Sequence, residues 1–317
     1  MAYEAAAETF TMIITVYIGA VGRSGTTLLE RTLATSPRVT AVGEVVHLWN
    51  RGVRDDEPCG CGDTFLNCAF WTKVGVEAFG GWDRVDLIQL DLDRAIVDRN
   101  RYIPYLLLPQ LAPPRFRASQ GRLVDVLGNL YRGIAAAGSE TGGDFIIDSS
   151  KHPSYLFLMR RVPGVDLRLL HVVRDPRGVA HSWSKRVMRP ENGAPMEQLG
   201  SVRASLRWLG HNLLFELATR IGVRSERLPY EAFTADPTVL ARSLDRLVPG
   251  GSPTKLAIVS RSITLGVDHT VSGNPLRFAA GSVELRADES WRTSLSKRSR
   301  LTIGVVTTPF RQLWARP

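Results

Sequence analysis

The sequence has little lysine, little cysteine and no long apolar run. Only 5 of its 40 basic residues are lysine, and they are scattered, so no dense basic tract indicates nucleic-acid binding. No apolar run reaches the roughly 18 residues that a membrane-spanning helix needs. The three cysteines are an odd number without an export signal, which predicts a reducing compartment, the cytoplasm.

The composition is that of a globular protein. The 317 residues are 44% hydrophobic, which suffices for a sizeable core. We predict a single domain over 1–317, with a core at 12–250 and a C-terminal segment at 251–317 that covers a ligand. The net charge of +9 comes mainly from arginine. A GC-rich genome favours arginine, and a guanidinium also suits partners that carry phosphate or sulfate, because it offers them paired donors.

Apolar segments alternate along the chain with helical patterns. Strands are predicted at Ile13–Val21, Val39–Val42, Asp144–Asp148, Leu167–Val173 and Arg227–Tyr230. Helices are predicted at Thr26–Thr35, 84–111, 119–137, Ser154–Arg161, 197–221 and 237–248. This alternation predicts an α/β fold with a central, mainly parallel sheet and helices on both faces.

A glycine-rich turn joins the first predicted strand to the first predicted helix. Glycines allow close approach of a ligand, and a helix N-terminus presents free N–H groups to an anion. No lysine follows the second glycine, so the turn is not a Walker loop, and magnesium-assisted phosphoryl transfer is disfavoured. A plain helix-entry turn is the alternative. The residues of the turn are Gly22, Arg23, Ser24, Gly25, Thr26 and Thr27.

A second candidate site begins where another predicted strand ends. Arg174 follows that strand directly, and Ser182 lies eight residues later, about two turns into the next helix. Ligands sit at the carboxyl ends of the strands in such sheets, so the two side chains could hold one phosphate. The alternative is a surface salt bridge of Arg174 or Arg177 with Asp175.

Together, these two segments resemble the sulfotransferases that use 3′-phosphoadenosine-5′-phosphosulfate (PAPS). The Arg-Ser-Gly-Thr-Thr form of the turn is similar to the tyrosylprotein branch and to many bacterial carbohydrate or metabolite branches. The resemblance covers roughly residues 13–250 and implies a P-loop-like three-layer sandwich. It implies transfer of the sulfuryl group of PAPS to an acceptor hydroxyl, leaving adenosine 3′,5′-bisphosphate, with no metal or redox cofactor. It assigns the 5′-phosphosulfate to the glycine turn and the 3′-phosphate to Arg174 and Ser182.

The resemblance gives expected roles to further residues. Lys151, after the strand at 144–148, and Arg23 are expected at the transferring group, and Tyr230 near the adenine. An exposed turn lysine and a core aromatic are the respective alternatives for Lys151 and Tyr230. A late loop, whose alternative is an ordinary Asn-Pro turn, is expected to close on the 3′-phosphate and adenine. Its residues are Ser272, Gly273, Asn274 and Arg277.

Glu44 is the expected general base. It follows Arg23 by 21 residues in a Gly-Glu segment, and the tyrosylprotein branch has its catalytic glutamate at a similar place. Its neighbours are largely apolar, so desolvation predicts a raised pKa for its carboxyl group. His47, three residues on, shares a helical face and is the second candidate. Favourable placement of an acid in a first helical turn is the alternative without catalysis.

The cysteines Cys59, Cys61 and Cys68 are expected to be reduced residues of a structural loop near the acceptor. A zinc site is the weaker alternative, because C-x-C is not the usual finger spacing and His47 is the nearest fourth ligand in sequence. Tyr102–Pro114 is apolar and broken by prolines. It forms either a lid over a lipophilic or aromatic acceptor or, as we favour, a buried hairpin of helices.

The expected acceptor is a hydroxyl of a small molecule, whether phenolic, lipophilic or carbohydrate. Two other functions compete with sulfuryl transfer. One is an ATP-dependent small-molecule kinase, which the missing Walker lysine disfavours. The other is a regulatory module that binds a nucleotide without turnover and has no functional need for Glu44 or Lys151.

Overall fold

The structure is a computed structural model that describes residues 12–188, 193, 195–250 and 253–314. The strands are β1 Ile13–Gly19, β2 Val39–Gly43, β3 Phe145–Asp148, β4 Val165–Val173, β5 Arg224–Pro229, β6 Ile258–Val259, β7 Ser262–Leu265 and β8 Gly281–Glu284. The α-helices are α1 Thr26–Leu33, α2 Ala69–Phe79, α3 Leu87–Val97, α4 Ile103–Leu107, α5 Pro114–Ser139, α6 Pro153–Met159, α7 Pro176–Ser184, α8 Ser201–Arg220, α9 Tyr230–Ala235, α10 Thr238–Leu247, α11 Trp291–Ser294 and α12 Lys297–Trp314. Among the described helices, none combines the length and the apolar character needed to cross a bilayer.

The first five strands form one parallel sheet in the order β2-β3-β1-β4-β5. Both faces of the sheet are buried. Val16 and Ile18 of β1 pack in a cluster with helices α1 and α10, whereas Tyr17 faces the opposite cluster, which includes α5 and α8. The predicted α/β three-layer sandwich with a central parallel sheet is therefore confirmed. Strands β6 to β8 form a separate antiparallel sheet.

The strand order creates a crevice between β1 and β4. These strands are neighbours, but the chain leaves β1 toward β2 on one side of the sheet and leaves β4 toward β5 on the other. In open parallel sheets, the loops diverge at such a point and leave a space at the carboxyl ends of the strands. The glycine turn follows β1 and Arg174 follows β4, so both predicted anion sites border this crevice.

Prolines divide the region that the sequence predicts as one helix over 84–111. The structure has the two helices α3 and α4 there, then a 3-10 turn at Pro109–Leu111, and α5 begins at Pro114. Ile103 and Leu106 are buried in the core beside α5. Leu108 and Leu111 are exposed, so Tyr102–Pro114 is a short helix and a 3-10 turn leading into α5, and the predicted hairpin of helices is only partly buried.

Helix α1 carries a buried arginine that fixes a distant part of the chain. The Nε of Arg31 lies 2.9 Å from Oδ2 of Asp268. Its guanidinium also donates to the carbonyl oxygens of Gly266 at 2.5 Å, Ala279 at 2.7 Å and Arg277. The segment 266–279, which contains the predicted late loop, is thereby held against α1.

We expect Arg31→Met to lower the free energy of unfolding by about 3–5 kcal/mol, because it leaves the Asp268 carboxylate and three carbonyl groups without their buried donor. Urea denaturation measures the change. The matched control is Arg242→Met, which breaks an exposed 3.0 Å pair with Asp236 and should cost at most about 1 kcal/mol. Equal losses of unfolding free energy in the two variants would contradict the inference that Arg31 holds the segment 266–279 in place.

Candidate functional site

A cavity of about 830 Å³ lies at the carboxyl ends of the parallel strands. Every strand of the sheet contributes to its lining: Gly22, Arg23 and Gly25–Leu28 after β1, Glu44 after β2, Lys151 after β3, Arg174 after β4 and Tyr230 after β5. Ser24, in the same turn, is buried and is not among the described lining residues. The volume is within the roughly 300–1,000 Å³ that is usual for small-molecule sites. The cavity is where an open α/β sheet binds its ligands.

The cavity is electropositive. Burial lowers the pKa of His47 and of His211 to about 4, so both imidazoles are neutral at pH 7. The excess of cations concentrates positive potential in a partly enclosed space, which favours an anionic ligand. The charged side chains in the described lining are Arg23, Arg51, Arg99, Lys151, Arg174 and Arg207 against Glu44, Asp98 and Glu197.

The glycine turn needs its glycines because two aromatic rings lie against it. A Cβ on Gly22 would lie 2.8 Å from the ring of Trp183, and a Cβ on Gly25 would lie 2.3 Å from the ring of Tyr230. Gly25 also has a φ of 79°, which glycine adopts without strain. Helix α1 begins at the next residue, Thr26, so its first N–H groups border the cavity.

Arg174 and the glycine turn are joined directly. The Nη1 of Arg174 donates to the carbonyl oxygen of Arg23 at 2.9 Å, and its guanidinium lies 4.7 Å from the ring centroid of Tyr230. It is Arg177 that forms the salt bridge with Asp175, at 2.5 Å. The arginine at the end of β4 is therefore held beside the turn and the tyrosine, and it is one of the residues that line the cavity.

Glu44, Lys151 and His47 meet at one point of the cavity. The Nζ of Lys151 lies 2.6 Å from Oε1 of Glu44, and Nε2 of His47 lies 3.6 Å from Oε2. Burial alone would raise the pKa of Glu44, but the attraction of Lys151 and then of His47 outweighs it, and the pKa is lowered. The prediction of a raised pKa is wrong, because it omitted the cation of Lys151, which follows β3 and lies beside Glu44 in the fold.

A buried carboxyl group that sequence reasoning missed holds this arrangement together. Oε1 of Glu30 accepts from the N–H of Gly43 at 2.7 Å, and Oε2 lies 2.6 Å from Oγ of Ser149. These partners end β2 and begin the loop after β3, next to Glu44 and Lys151. Burial raises the pKa of Glu30 to about 8, although the hydrogen bonds from Ser149 and Gly43 oppose the rise. The available signal was the single carboxylate in the helix that follows the glycine turn.

Besides Arg174, three of the residues expected at the 3′-phosphate and adenine line the cavity: Ser182, Gly273 and Asn274. A Cβ on Gly273 would lie 3.5 Å from Oε1 of Glu44 and 3.7 Å from Oγ1 of Thr27. The late loop therefore approaches both the carboxylate and the glycine turn, and it closes one side of the cavity.

The structure places Arg277 and Ser272 differently from the expectation. Arg277 is fully buried, and its Nη1 donates to the carbonyl oxygen of Thr270 at 3.2 Å, so it braces the late loop from inside. Ser272 is buried and accepts a hydrogen bond from Arg51. Arg51, which sequence reasoning missed, lines the cavity and pairs with Glu57 at 2.5 Å.

The cysteine loop lies outside the cavity. None of the described lining residues is a cysteine or comes from 102–114, so neither segment faces the expected acceptor space. All three cysteines are free, and the histidine beside them is His269. His47, the nearest candidate in sequence, instead lies next to Glu44, with its ring 5.5 Å from that of His152.

A scan against models of protein families and a search of curated proteins find no match to this chain. Among solved structures, the chain is similar to a sulfotransferase domain from the curacin biosynthetic pathway, with 16% identity and a TM-score of 0.47 over 93% of this chain and 96% of that one. It is also similar to a sulfotransferase domain from the Synechococcus PCC 7002 olefin synthase, with 21% identity and a TM-score of 0.45 over 95% of each chain. Similarity at this level carries no inference about activity.

We expect Glu30→Gln to change how stability depends on pH. The unfolded carboxyl ionises near its ordinary pKa of 4.5 and the folded one near 8. The stability that this carboxyl contributes is therefore complete below pH 4.5 and is lost as the pH rises toward 8, by at most about 1.4 kcal/mol per pH unit. Glutamine keeps an acceptor for Gly43 and lacks this titration.

Denaturation of the two proteins between pH 5 and 8.5 measures the effect. The variant should gain stability relative to the wild-type protein as the pH rises, because every other titrating group is common to both. A difference in stability that stays constant over this range would show that Glu30 is already ionised at pH 5.

Proposed function

We propose that this protein is a sulfotransferase that moves the sulfuryl group of PAPS to a hydroxyl of a small molecule. The observation that carries the proposal is the convergence of three features in one cavity. The glycine turn at the start of α1, Arg174 at the end of β4 and the acid–cation pair of Glu44 and Lys151 all line the same electropositive space. A donor with two phosphate groups and a transferable sulfuryl group matches this arrangement.

The donor would be held at both of its phosphate groups. The 5′-phosphosulfate would take the N–H groups at the start of α1 and the hydroxyls of Thr26 and Thr27, which line the cavity. The 3′-phosphate would take the guanidinium of Arg174 and the hydroxyl of Ser182, since charge-assisted hydrogen bonds are the strongest that such a group can make. Tyr230, whose ring packs between Gly25 and Arg174, is the proposed partner of the adenine.

The chemistry is an in-line displacement at sulfur. The acceptor oxygen forms a bond to sulfur, the bond between sulfur and the bridging oxygen breaks, and adenosine 3′,5′-bisphosphate leaves. The acceptor proton moves to the carboxylate of Glu44. Lys151 and Arg23 stabilise the negative charge that develops on the departing phosphate. Holding both reactants in one cavity supplies the orientation that the step needs.

The low pKa of Glu44 fits the role of a base in its resting state. Its carboxyl group is ionised at neutral pH and can accept a proton. Attraction by Lys151 also makes the Glu44 carboxylate a weaker base. When PAPS is bound, Lys151 would turn from Glu44 to the donor oxygens, and the basicity of Glu44 would rise again. His47 is neutral at pH 7 and lies within 3.6 Å, which keeps it as the second candidate for the base.

The acceptor class and the compartment stay predictions from the sequence. We propose a phenolic, lipophilic or carbohydrate hydroxyl and a cytoplasmic location. Incubation with sulfur-labelled PAPS and a panel of phenols, sugars and lipids tests the activity. Labelled product should form without magnesium. Transfer of phosphate from ATP with magnesium, and no transfer from PAPS, would establish the rival kinase function. Tight binding of PAPS without turnover would favour a regulatory module.

We expect adenosine 3′,5′-bisphosphate to raise the melting temperature more than 5′-AMP does, because only the former reaches Arg174. At about 100 times its dissociation constant, a ligand adds about 2.7 kcal/mol to the stability. Arg174→Ala should weaken binding of the bisphosphate by one to two orders of magnitude, the equivalent of the roughly 1.5–3 kcal/mol of a charged hydrogen bond.

Arg177→Ala is the matched control, since Arg177 pairs with Asp175 and is absent from the described lining of the cavity. It should leave the preference for the bisphosphate unchanged. Equal stabilisation of the wild-type protein by the two nucleotides would remove the 3′-phosphate site from the account.

We expect Glu44→Gln to lower kcat by about 10²–10⁴, the usual contribution of a general base, and to leave the affinity for adenosine 3′,5′-bisphosphate unchanged. His47→Ala should have a milder effect. Single-turnover rates and calorimetric titration separate chemistry from binding. An active Glu44→Gln variant together with an inactive His47→Ala variant would assign the base to the histidine.

A further inference from the structure

Three cysteines and one histidine lie together outside the cavity. Cys59, Cys61 and Cys68 belong to the loop before and at the start of α2, whereas His269 lies 201 residues beyond Cys68 in the chain. One ligand atom from each residue, three thiol sulfurs and Nδ1 of the imidazole, lies within 4.8 Å of all the others. Cys59 and Cys68 are buried, and Cys61 and His269 are partly buried.

Three of the distances within this cluster lie near the edge lengths of a tetrahedron around a metal ion. Sγ of Cys61 lies 3.7 Å from Sγ of Cys68, and Nδ1 of His269 lies 3.2 Å from Sγ of Cys68 and 4.0 Å from Sγ of Cys59. Zinc bonds of about 2.3 Å to sulfur and about 2.0 Å to nitrogen give tetrahedron edges of about 3.5–3.8 Å. A disulfide would need two sulfurs about 2.0 Å apart.

We propose that Cys59, Cys61, Cys68 and His269 form a structural zinc site. Thiolate and imidazole ligands in tetrahedral geometry select zinc or an iron–sulfur centre, and a full set of four protein ligands is typical of a structural zinc ion. This proposal replaces the expectation of a metal-free loop of reduced cysteines. The site does not depend on the proposed function.

The surroundings of the cluster hold its ligands in place. The N–H of Cys59 donates to the carbonyl oxygen of Asp63 at 2.7 Å, and the N–H of Gly62 donates to the carbonyl oxygen of Cys59 at 2.9 Å, which makes a tight turn around Cys61. Phe70 stacks on the imidazole of His269 with a centroid distance of 5.0 Å and an angle of 9°. Such contacts orient a ligand before the metal binds.

The zinc would fix the strand-like stretch that follows His269. The N–H of Val271 donates to the carbonyl oxygen of Val42 at 3.0 Å, and the N–H of Glu44 donates to the carbonyl oxygen of Val271 at 2.8 Å. The ligand His269 is thus two residues from the backbone that positions Glu44, and four from Gly273 in the cavity. The four ligand residues are therefore positioning residues for Glu44 and the late loop. Only this effect on the site, and not the zinc site itself, rests on the proposed function.

Metal analysis of the purified full-length protein tests the site. Inductively coupled plasma mass spectrometry should find one zinc ion per chain in the wild-type protein. His269→Ala should lose zinc during dialysis against a mild chelator. His181→Ala is the matched control, because His181 contacts Ser290 and lies outside the cluster, and it should keep the metal.

Two measurements on the wild-type protein keep the test valid if a variant fails to fold. A mercurial thiol reagent should release one zinc ion as three thiols react, and a strong chelator should lower the melting temperature until zinc is restored. Cobalt exchanged for zinc should give the visible absorption of a tetrahedral thiolate complex.

A folded wild-type chain that has three reactive thiols and takes up no added zinc would overturn the proposal. A disulfide between two of the cysteines, or iron in place of zinc, would also overturn it. A zinc-loaded protein that transfers nothing from PAPS would leave the metal site standing and would reject the proposed function alone.

Discussion

Two adjacent ionisable side chains in helix α1 determine the shape of the cavity. Glu30 joins the ends of β2 and β3, and Arg31 holds the segment 266–279. Both side chains are about 2% exposed, so each would be costly to bury without its partners. The helix whose N-terminus borders the cavity is therefore also the element that brings the acid, the lysine and the late loop together.

The same elements explain why the residues proposed to hold the donor and the proposed base line one space. The turn before α1 and the arginine after β4 are bonded to each other through the Arg23 carbonyl group, and both line the cavity. The Glu44–Lys151 pair comes from strands on the other side of β1. A donor that lies across the crevice would thus have its phosphates at β1 and β4 and its reactive group toward β2 and β3.

Short stretches of sequence predicted the parts of the site that are formed by residues close together in the chain. The strand, glycine turn and helix, and the arginine at the end of β4, are each readable within about ten residues, because strand ends and helix starts have short-range signals. The parallel sheet follows from their alternation.

Long-range contacts account for what the sequence did not predict. The pKa of Glu44 falls because Lys151 arrives from another strand, and the fourth partner of the cysteines, His269, lies about two hundred residues away. Arg277 has the character of a phosphate ligand in the sequence, but its guanidinium turns inward to Thr270. Periodicity and spacing contain no information about such contacts, since they report only on residues within one element.

A crystal structure of the protein with adenosine 3′,5′-bisphosphate tests the central claim most directly. The account predicts the 5′-phosphate at the N-terminus of α1 and the 3′-phosphate on Arg174 and Ser182. The oxygen of the 5′-phosphate that carries the sulfuryl group in PAPS should point toward Lys151 and Glu44. A nucleotide bound outside the cavity, or one that leaves Arg174 without a phosphate contact, would contradict it.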